Sequence, residues 1–192
     1  MQLRNSPSRY GAVALGFHWL TVILVLVGWV LGTFGDALPR GPMRAGGLFV
    51  HISAGLAILT LLAARLAWRL GDPPPPPEPT ILGVWGDYAA RVGHFALYAL
   101  LVAVPLVGIV VQFGRGNALP VFGFFEIPSP WVADRAFARS AREVHEFMAH
   151  TLVILAALHA AAALMHHSVL RDSTLRRMLP WRTQSASTSR AD

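Results

Sequence analysis

Four predominantly apolar runs divide this chain, each long enough to cross a bilayer, which takes about 20 residues of helix. They cover Val13–Phe34, Gly46–Leu70, Val92–Phe113 and Val144–Leu170. Inside hydrocarbon every backbone N–H and C=O must be satisfied within the segment, so runs of this length fold as helices. Of the 192 residues, 54% are hydrophobic and only 14% charged, against about a quarter charged in a soluble domain. The expectation is an all-α, integral membrane four-helix bundle forming one unit over residues 1–181. The tail at 182–192, dominated by Ser, Thr and Arg, is expected to be disordered.

The links differ in character. Gly35–Ala45 is short and turn-rich, and GDPPPPPEPT at Gly71–Thr80 cannot be helical and reads as a stiff extended connector. Gly114–Arg142 is the longest link. Its Phe122, Phe124, Phe125 and Trp131 place it at the membrane surface, with a short interfacial helix expected over Ala133–Arg142. The first run is too long for a cleaved signal peptide and carries Phe17-His18-Trp19 near its start, so it is expected to remain as a helix. Trp19, Trp68, Trp85, Trp131 and Trp181 fall at run ends or in links, as an aromatic belt requires. Pro105 lies inside the third run, where it should kink the helix.

All 16 basic residues are Arg, and the formal charge is +6. The Arg residues cluster at the ends of apolar runs, which speaks for headgroups and orientation rather than nucleic acid. Four spans put both termini on one side. Six Arg residues (Arg40, Arg44, Arg115, Arg135, Arg139 and Arg142) fall on the opposite, outer side, and the other ten on the terminal side. That bias places both termini in the cytoplasm. Cysteine is absent, which excludes disulfides, iron–sulfur clusters held by thiolates and covalent haem attachment.

Histidine carries the chemistry. A polar imidazole in hydrocarbon is unfavourable unless partnered. His145 and His159 are about 14 residues apart on the fourth run, roughly 21 Å along a helix and within roughly 40° of one face. With the topology above, His51 and His145 form an outer layer, and His18, His94 and His159 an inner one. A single membrane histidine is commonly an interhelical hydrogen bond. Histidines sorted into two depth layers suit iron held by two axial imidazoles, hence two stacked b-type haems. A zinc or copper site wants three or four converging ligands, and the outer layer offers two. Gly16, Ser53, Ala54, Gly55, Gly93, Ala96 and Ala160–Ala163 leave room for a flat macrocycle or for close helix packing. His150 is turned from the His145 face and reads as a hydrogen-bonding or lipid-edge residue. Spacing alone leaves His18 and His94 as alternative partners of His159.

The chain also resembles the bacterial cytochrome b561 family of dihaem membrane proteins, over roughly Gly16 to Pro180. The resemblance rests on Phe17-His18-Trp19, His51-Ile52-Ser53-Ala54-Gly55, Gly93-His94 with Pro105-Leu106-Val107-Gly108, Arg115-Gly116-Asn117, Glu143-Val144-His145-Glu146, Leu158-His159-Ala160 through His166-His167, and Arg171-Asp172-Ser173-Thr174-Leu175. It is strongest to the superoxide oxidase branch, whose members pass electrons from superoxide to ubiquinone. The resemblance implies an inner-membrane oxidoreductase with two haem b groups. It implies that His51 and His145 ligate the outer haem and His18 and His159 the inner one. His94 and His166 would then belong to the ubiquinone site. His150 departs from the family pattern, as do the proline-rich connector and the longer tail.

On that reading Arg115, Arg135, Arg139 and Arg142 draw superoxide to the outer haem edge. Ordinary pairing of these Arg residues with Glu126, Asp134 and Glu143 is the plainer alternative. The rival function is a cytochrome b anchor subunit that carries electrons between a partner dehydrogenase or hydrogenase and quinone.

Overall fold

The structure, a computed structural model, describes residues 2–76 and 83–179. Each apolar run lies in a helix whose ends have local causes. Helix α1 spans Ala12–Phe34 and passes into a 3-10 turn at Gly35–Ala37. Gly41, with φ 101°, redirects the chain into α2, Pro42–Gly71. Pro42 stands in the first turn, where its missing N–H is no loss. Helix α3 spans Gly83–Gly114 and contains Pro105. Helix α4 spans Arg135–Met165. Its cap is Asp134, whose carboxylate accepts from the N–H groups of Ala136 (2.9 Å) and Phe137 (3.0 Å), a bonding pattern that satisfies first-turn donors.

That cap explains one difference from expectation. The interfacial helix anticipated at Ala133–Arg142 is the first part of α4, because no Gly or Pro interrupts the chain after Asp134. Helices α2 and α3 likewise begin ahead of their apolar runs. A second difference lies in the long link, which holds an antiparallel hairpin of β1, Leu119–Val121, and β2, Phe125–Ile127. Its turn uses two successive positive φ values, 51° at Phe122 and 78° at Gly123, as a tight hairpin turn requires. Phe is a rare choice there, which hid the turn. A Cβ added at Gly123 would lie 3.4 Å from the Phe49 ring, so the hairpin tip rests on α2. The Gln112 side-chain amide donates to the Ala118 carbonyl (2.8 Å) and the Asp134 N–H to the Gly114 carbonyl (2.9 Å). The link therefore folds back over its own end of the bundle.

The helices form two tightly packed hairpins, α1 with α2 and α3 with α4, joined by looser contacts of α2 with α3 and α1 with α4. The interior is thin: Leu15, Ala54, Ile58, Leu62, Val111 and Leu152 are buried. Large apolar residues such as Ile23, Val30, Phe95, Phe147, Ile154 and Leu158 face outward instead. Four helices are long and apolar enough to cross a membrane, and this outward apolar surface is what lipid covers. The protein is a multi-pass membrane protein.

At the end that carries the termini, a polar knot closes the first hairpin. Asp72 is buried, and its carboxylate accepts from the Asn5 N–H (3.0 Å) and from Trp68 Nε1–H (2.9 Å). The Asn5 side chain donates to the Asp72 and Pro73 carbonyls and accepts from the Gly11 N–H at 2.8 Å. Gly11 admits no side chain, since a Cβ there would fall 2.4 Å from the Leu3 carbonyl oxygen. The connector takes no regular secondary structure as far as Pro76; Pro77–Thr80, Trp181 and the tail at 182–192 lie outside the described residues. Asp72→Ala should leave buried donors unpaired and destabilise the fold by about 1–3 kcal/mol. The check is a lowered Tm in detergent, with Asp72→Asn losing less.

Candidate functional site

A cavity of 290 Å³ opens between the two hairpins at the end that carries the β-hairpin. His51 from α2 and His145 from α4 face each other across it, ring centroids 6.0 Å apart and planes at 77°. His51 Nδ1–H donates to the Gly28 carbonyl of α1 (2.8 Å), and His145 Nδ1–H to the Val104 carbonyl of α3 (3.0 Å). A carbonyl can only accept, so each Nδ1 carries the hydrogen and each Nε2 is left with its lone pair. A hydrogen-bonded Nδ1 that fixes the tautomer is the usual support of a metal-ligating histidine.

The spacing fits as well. With metal–imidazole bonds of about 2.0 Å, two rings sharing one metal have centroids roughly 6 Å apart. Glycines make the rings' seats. A Cβ at Gly32 would come within 2.9 Å of His51 Cε1, and one at Gly108 within 3.1 Å of His145 Cε1. The donor set, the tautomers and the cradles therefore suit an iron between His51 and His145. Trp29 Nε1 also lies on this cavity, buried and without a hydrogen-bond partner among the described residues.

Toward the other end, His18, His94 and His159 lie together. The His94 and His159 rings meet at 5.2 Å and 70°. His18 packs edge-on against Trp19 (5.4 Å) and is within electrostatic reach of Arg65, His159 and His94. The histidine in ring contact with His159 is therefore His94. Among the described residues no three His, Asp or Glu side chains cluster as a non-haem metal site would require. His166 lies beyond, in a π-helical turn His166–Leu170 that continues α4, where its Nδ1 meets the Asp172 carboxylate.

The outer Arg residues separate into two groups. Arg115 and Arg142 line the cavity, joined by Arg44, which the sequence reading did not single out. Arg142 is paired with Glu146 (2.6 Å) and Asp36 (3.4 Å). Arg44 is bound to the carbonyls of Asp36 and Leu38. Arg115 is exposed and forms no ion pair among the described residues. Arg135 and Arg139 are exposed on the first turns of α4, away from the cavity lining. The pairing considered with Glu126, Asp134 and Glu143 does not form among the described residues: Asp134 caps α4, and Arg142 turns to Glu146 and Asp36. His150 donates from Nδ1 to the Glu146 carbonyl (2.7 Å) and packs edge-on against Trp29, although it also borders the cavity.

Sequence reasoning missed Gly32 and the two backbone carbonyls. One signal was visible: Gly28 and Gly32 form a small-xxx-small pair on α1, which lets another helix approach closely. The structure brings His51 of α2 to that face.

An apolar four-helix bundle with an imidazole pair seated between its hairpins defines a membrane cytochrome of the b type. A family model described as "Prokaryotic cytochrome b561" matches residues 9–181, and the chain belongs to this family. It is 34% identical over 186 residues to "Cytochrome b561 homolog 2" of Escherichia coli (strain K12), covering 93% of this chain and 95% of the relative. It is 35% identical over 176 residues to "Probable superoxide oxidase CybB" of Yersinia pestis, covering 90% and 96%. It is 31% identical over 186 residues to "Cytochrome b561 homolog 1" of Escherichia coli (strain K12), covering 91% and 99%. As a member of the family the protein binds b-type haem and transfers electrons.

The cradles are testable. Gly32→Leu and Gly108→Leu should each displace one imidazole of the His51–His145 pair and lower the b-type absorbance per protein. Haem-to-protein ratios of the purified variants measure this; full haem content in both would refute the seating.

Proposed function

We propose that this protein is a membrane superoxide oxidase that reduces ubiquinone. Two superoxide anions each give up one electron and leave as dioxygen. One ubiquinone takes up the two electrons with two protons and leaves as ubiquinol. When bound, two b-type haems, one held by His51 and His145 and one by His18 and His159, supply one-electron carriage between the ends of the bundle. The observation that carries the reading is the outer cavity, where two iron-competent imidazoles lie beneath an Arg-lined mouth.

The residues divide the work by position. Arg115 presents a cation with no carboxylate paired to it among the described residues, which raises the local concentration of a small anion. Arg142 is held by Asp36 and Glu146 and shapes the rim as much as it charges it. Arg135 and Arg139 add to the positive field above. The Gly28 and Val104 carbonyls hold the His51 and His145 rings.

His18 is the proposed partner of His159 because the family resemblance favours it. That choice leaves His94, with His166, to bind the ubiquinone oxygens and pass protons, work suited to imidazole near neutral pH. The Arg distribution supports a periplasmic hairpin end and a cytoplasmic terminal end in a bacterial inner membrane. The name of the Yersinia pestis relative supports the substrate.

Stopped-flow mixing of oxidised protein with superoxide should reduce haem at a rate that falls steeply as salt rises, since screening sets in within about 10 Å at 0.1 M. Arg115→Ala should slow that reduction several-fold and flatten its salt dependence, with haem content unchanged. A salt-independent rate, equal in both proteins, would count against the reading.

A further inference from the structure

Helix α4 does not stop cleanly at Met165. It widens into the π-helical turn His166–Leu170 and ends at Arg171, whose φ of 56° is left-handed. A non-glycine residue seldom adopts that backbone, so other bonds must hold the reversal. Asp172 supplies them. Its N–H donates to the His166 carbonyl (3.1 Å), its Oδ2 accepts from His166 Nδ1–H (2.5 Å), and its Oδ1 accepts from the Thr174 N–H (2.9 Å).

The His166 and Asp172 side chains are half-buried, at 18% and 20% exposure. Desolvation pushes the Asp172 carboxyl up, but the bonds from His166 and Thr174 outweigh it and hold the group below its ordinary range. Asp172 is therefore a carboxylate at neutral pH, and the hydrogen between the two residues belongs to His166 Nδ1. The other ring nitrogen, Nε2, has no hydrogen-bond partner among the described residues. The contact is a built carboxylate–imidazole pair with one ring nitrogen reserved.

We propose that Asp172 is the positioning residue of the quinone site, holding the His166 ring so that Nε2 alone meets the quinone oxygen. This rests on the reading above that the terminal end reduces ubiquinone beside His166. A ring with Nδ1 bare would set a lone pair against the Asp172 carboxylate, so that tautomer is disfavoured. With both nitrogens protonated, the ring donates Nδ1–H to Asp172 and Nε2–H to the quinone oxygen. As the quinone takes up its two electrons, the Nε2 proton passes to that oxygen. The ring is left neutral, with Nδ1–H still on Asp172, and water at the inner surface reprotonates Nε2. The second proton of ubiquinol comes from solvent or through His94.

The test needs no superoxide. Haem in the intact protein is reduced with dithionite, excess reductant is removed, and ubiquinone-1 is added while loss of reduced absorbance is followed. Asp172→Ala should raise the half-saturating ubiquinone-1 concentration roughly 10-fold to 100-fold, the scale of losing a bond that orients a working imidazole. Haem content and superoxide-driven haem reduction should stay at wild-type values, and Asp172→Glu should recover most of the loss. If the Ala variant does not retain haem, Asp172→Asn, which keeps size and an acceptor oxygen, takes its place with a smaller expected rise. Wild-type reoxidation in the Asp172 variants, with His166→Ala slowed, would overturn the inference alone. A wild-type protein that ubiquinone-1 does not reoxidise, or a His166→Ala variant that behaves as wild type, would overturn the quinone reading and this inference with it.

Discussion

An imidazole inside hydrocarbon needs partners for both ring nitrogens, and this requirement organises the bundle. Leaving a polar group unsatisfied in an apolar medium costs several kcal/mol, too much for a structure to carry at several places without a use. At His51 and His145 the Nδ1 side is satisfied by a carbonyl from a third and a fourth helix. The Nε2 sides have no hydrogen-bond partner among the described residues, as a metal ligand requires. All four helices thus meet at one pair of residues: α2 and α4 provide the rings, while α1 and α3 provide the carbonyls that orient them. The cavity is shaped by these bonds as much as by apolar packing.

Packing follows from the same need. The helices pair tightly within each hairpin and loosely between hairpins, so the space for a flat cofactor lies where contacts are fewest. Glycine enters where a ring must approach a backbone, at Gly32 and Gly108. Elsewhere the large side chains point out to lipid, and burial of apolar side chains contributes little to the interior. Both ends are closed by polar structure instead, by the β-hairpin link at one end and the Asn5–Asp72 knot at the other. Trp19 Nε1–H, bound to the Met178 carbonyl at 2.8 Å, ties the segment after α4 to the first helix.

Much of this was legible from residue order. Hydropathy located the four helices, because membrane-length apolar runs have one stable backbone solution. Depth along those runs paired His51 with His145, since an imidazole's height in a helix follows from its position alone. Rotation about the helix axis and long-range contact were less readable. His150 was placed off the His145 face, yet it borders the same cavity. The carbonyls of Gly28 and Val104 have no sequence signature, because any residue carries one. The β-hairpin was hidden by Phe122, which takes a backbone conformation usually left to glycine or asparagine. The Asp172–His166 contact was hidden because only the left-handed turn at Arg171 brings Asp172 back to His166.

The central claim is that imidazoles at two depths hold two haems, with His18 rather than His94 completing the inner pair. The most direct measurement is the haem-to-protein ratio of the purified wild type and of His18→Ala, His51→Ala and His94→Ala, read from reduced b-type absorbance. The account predicts two haems in the wild type and in His94→Ala, and one haem in each of the other two variants. A single haem in the wild type, or a haem lost from His94→Ala and kept in His18→Ala, would contradict it.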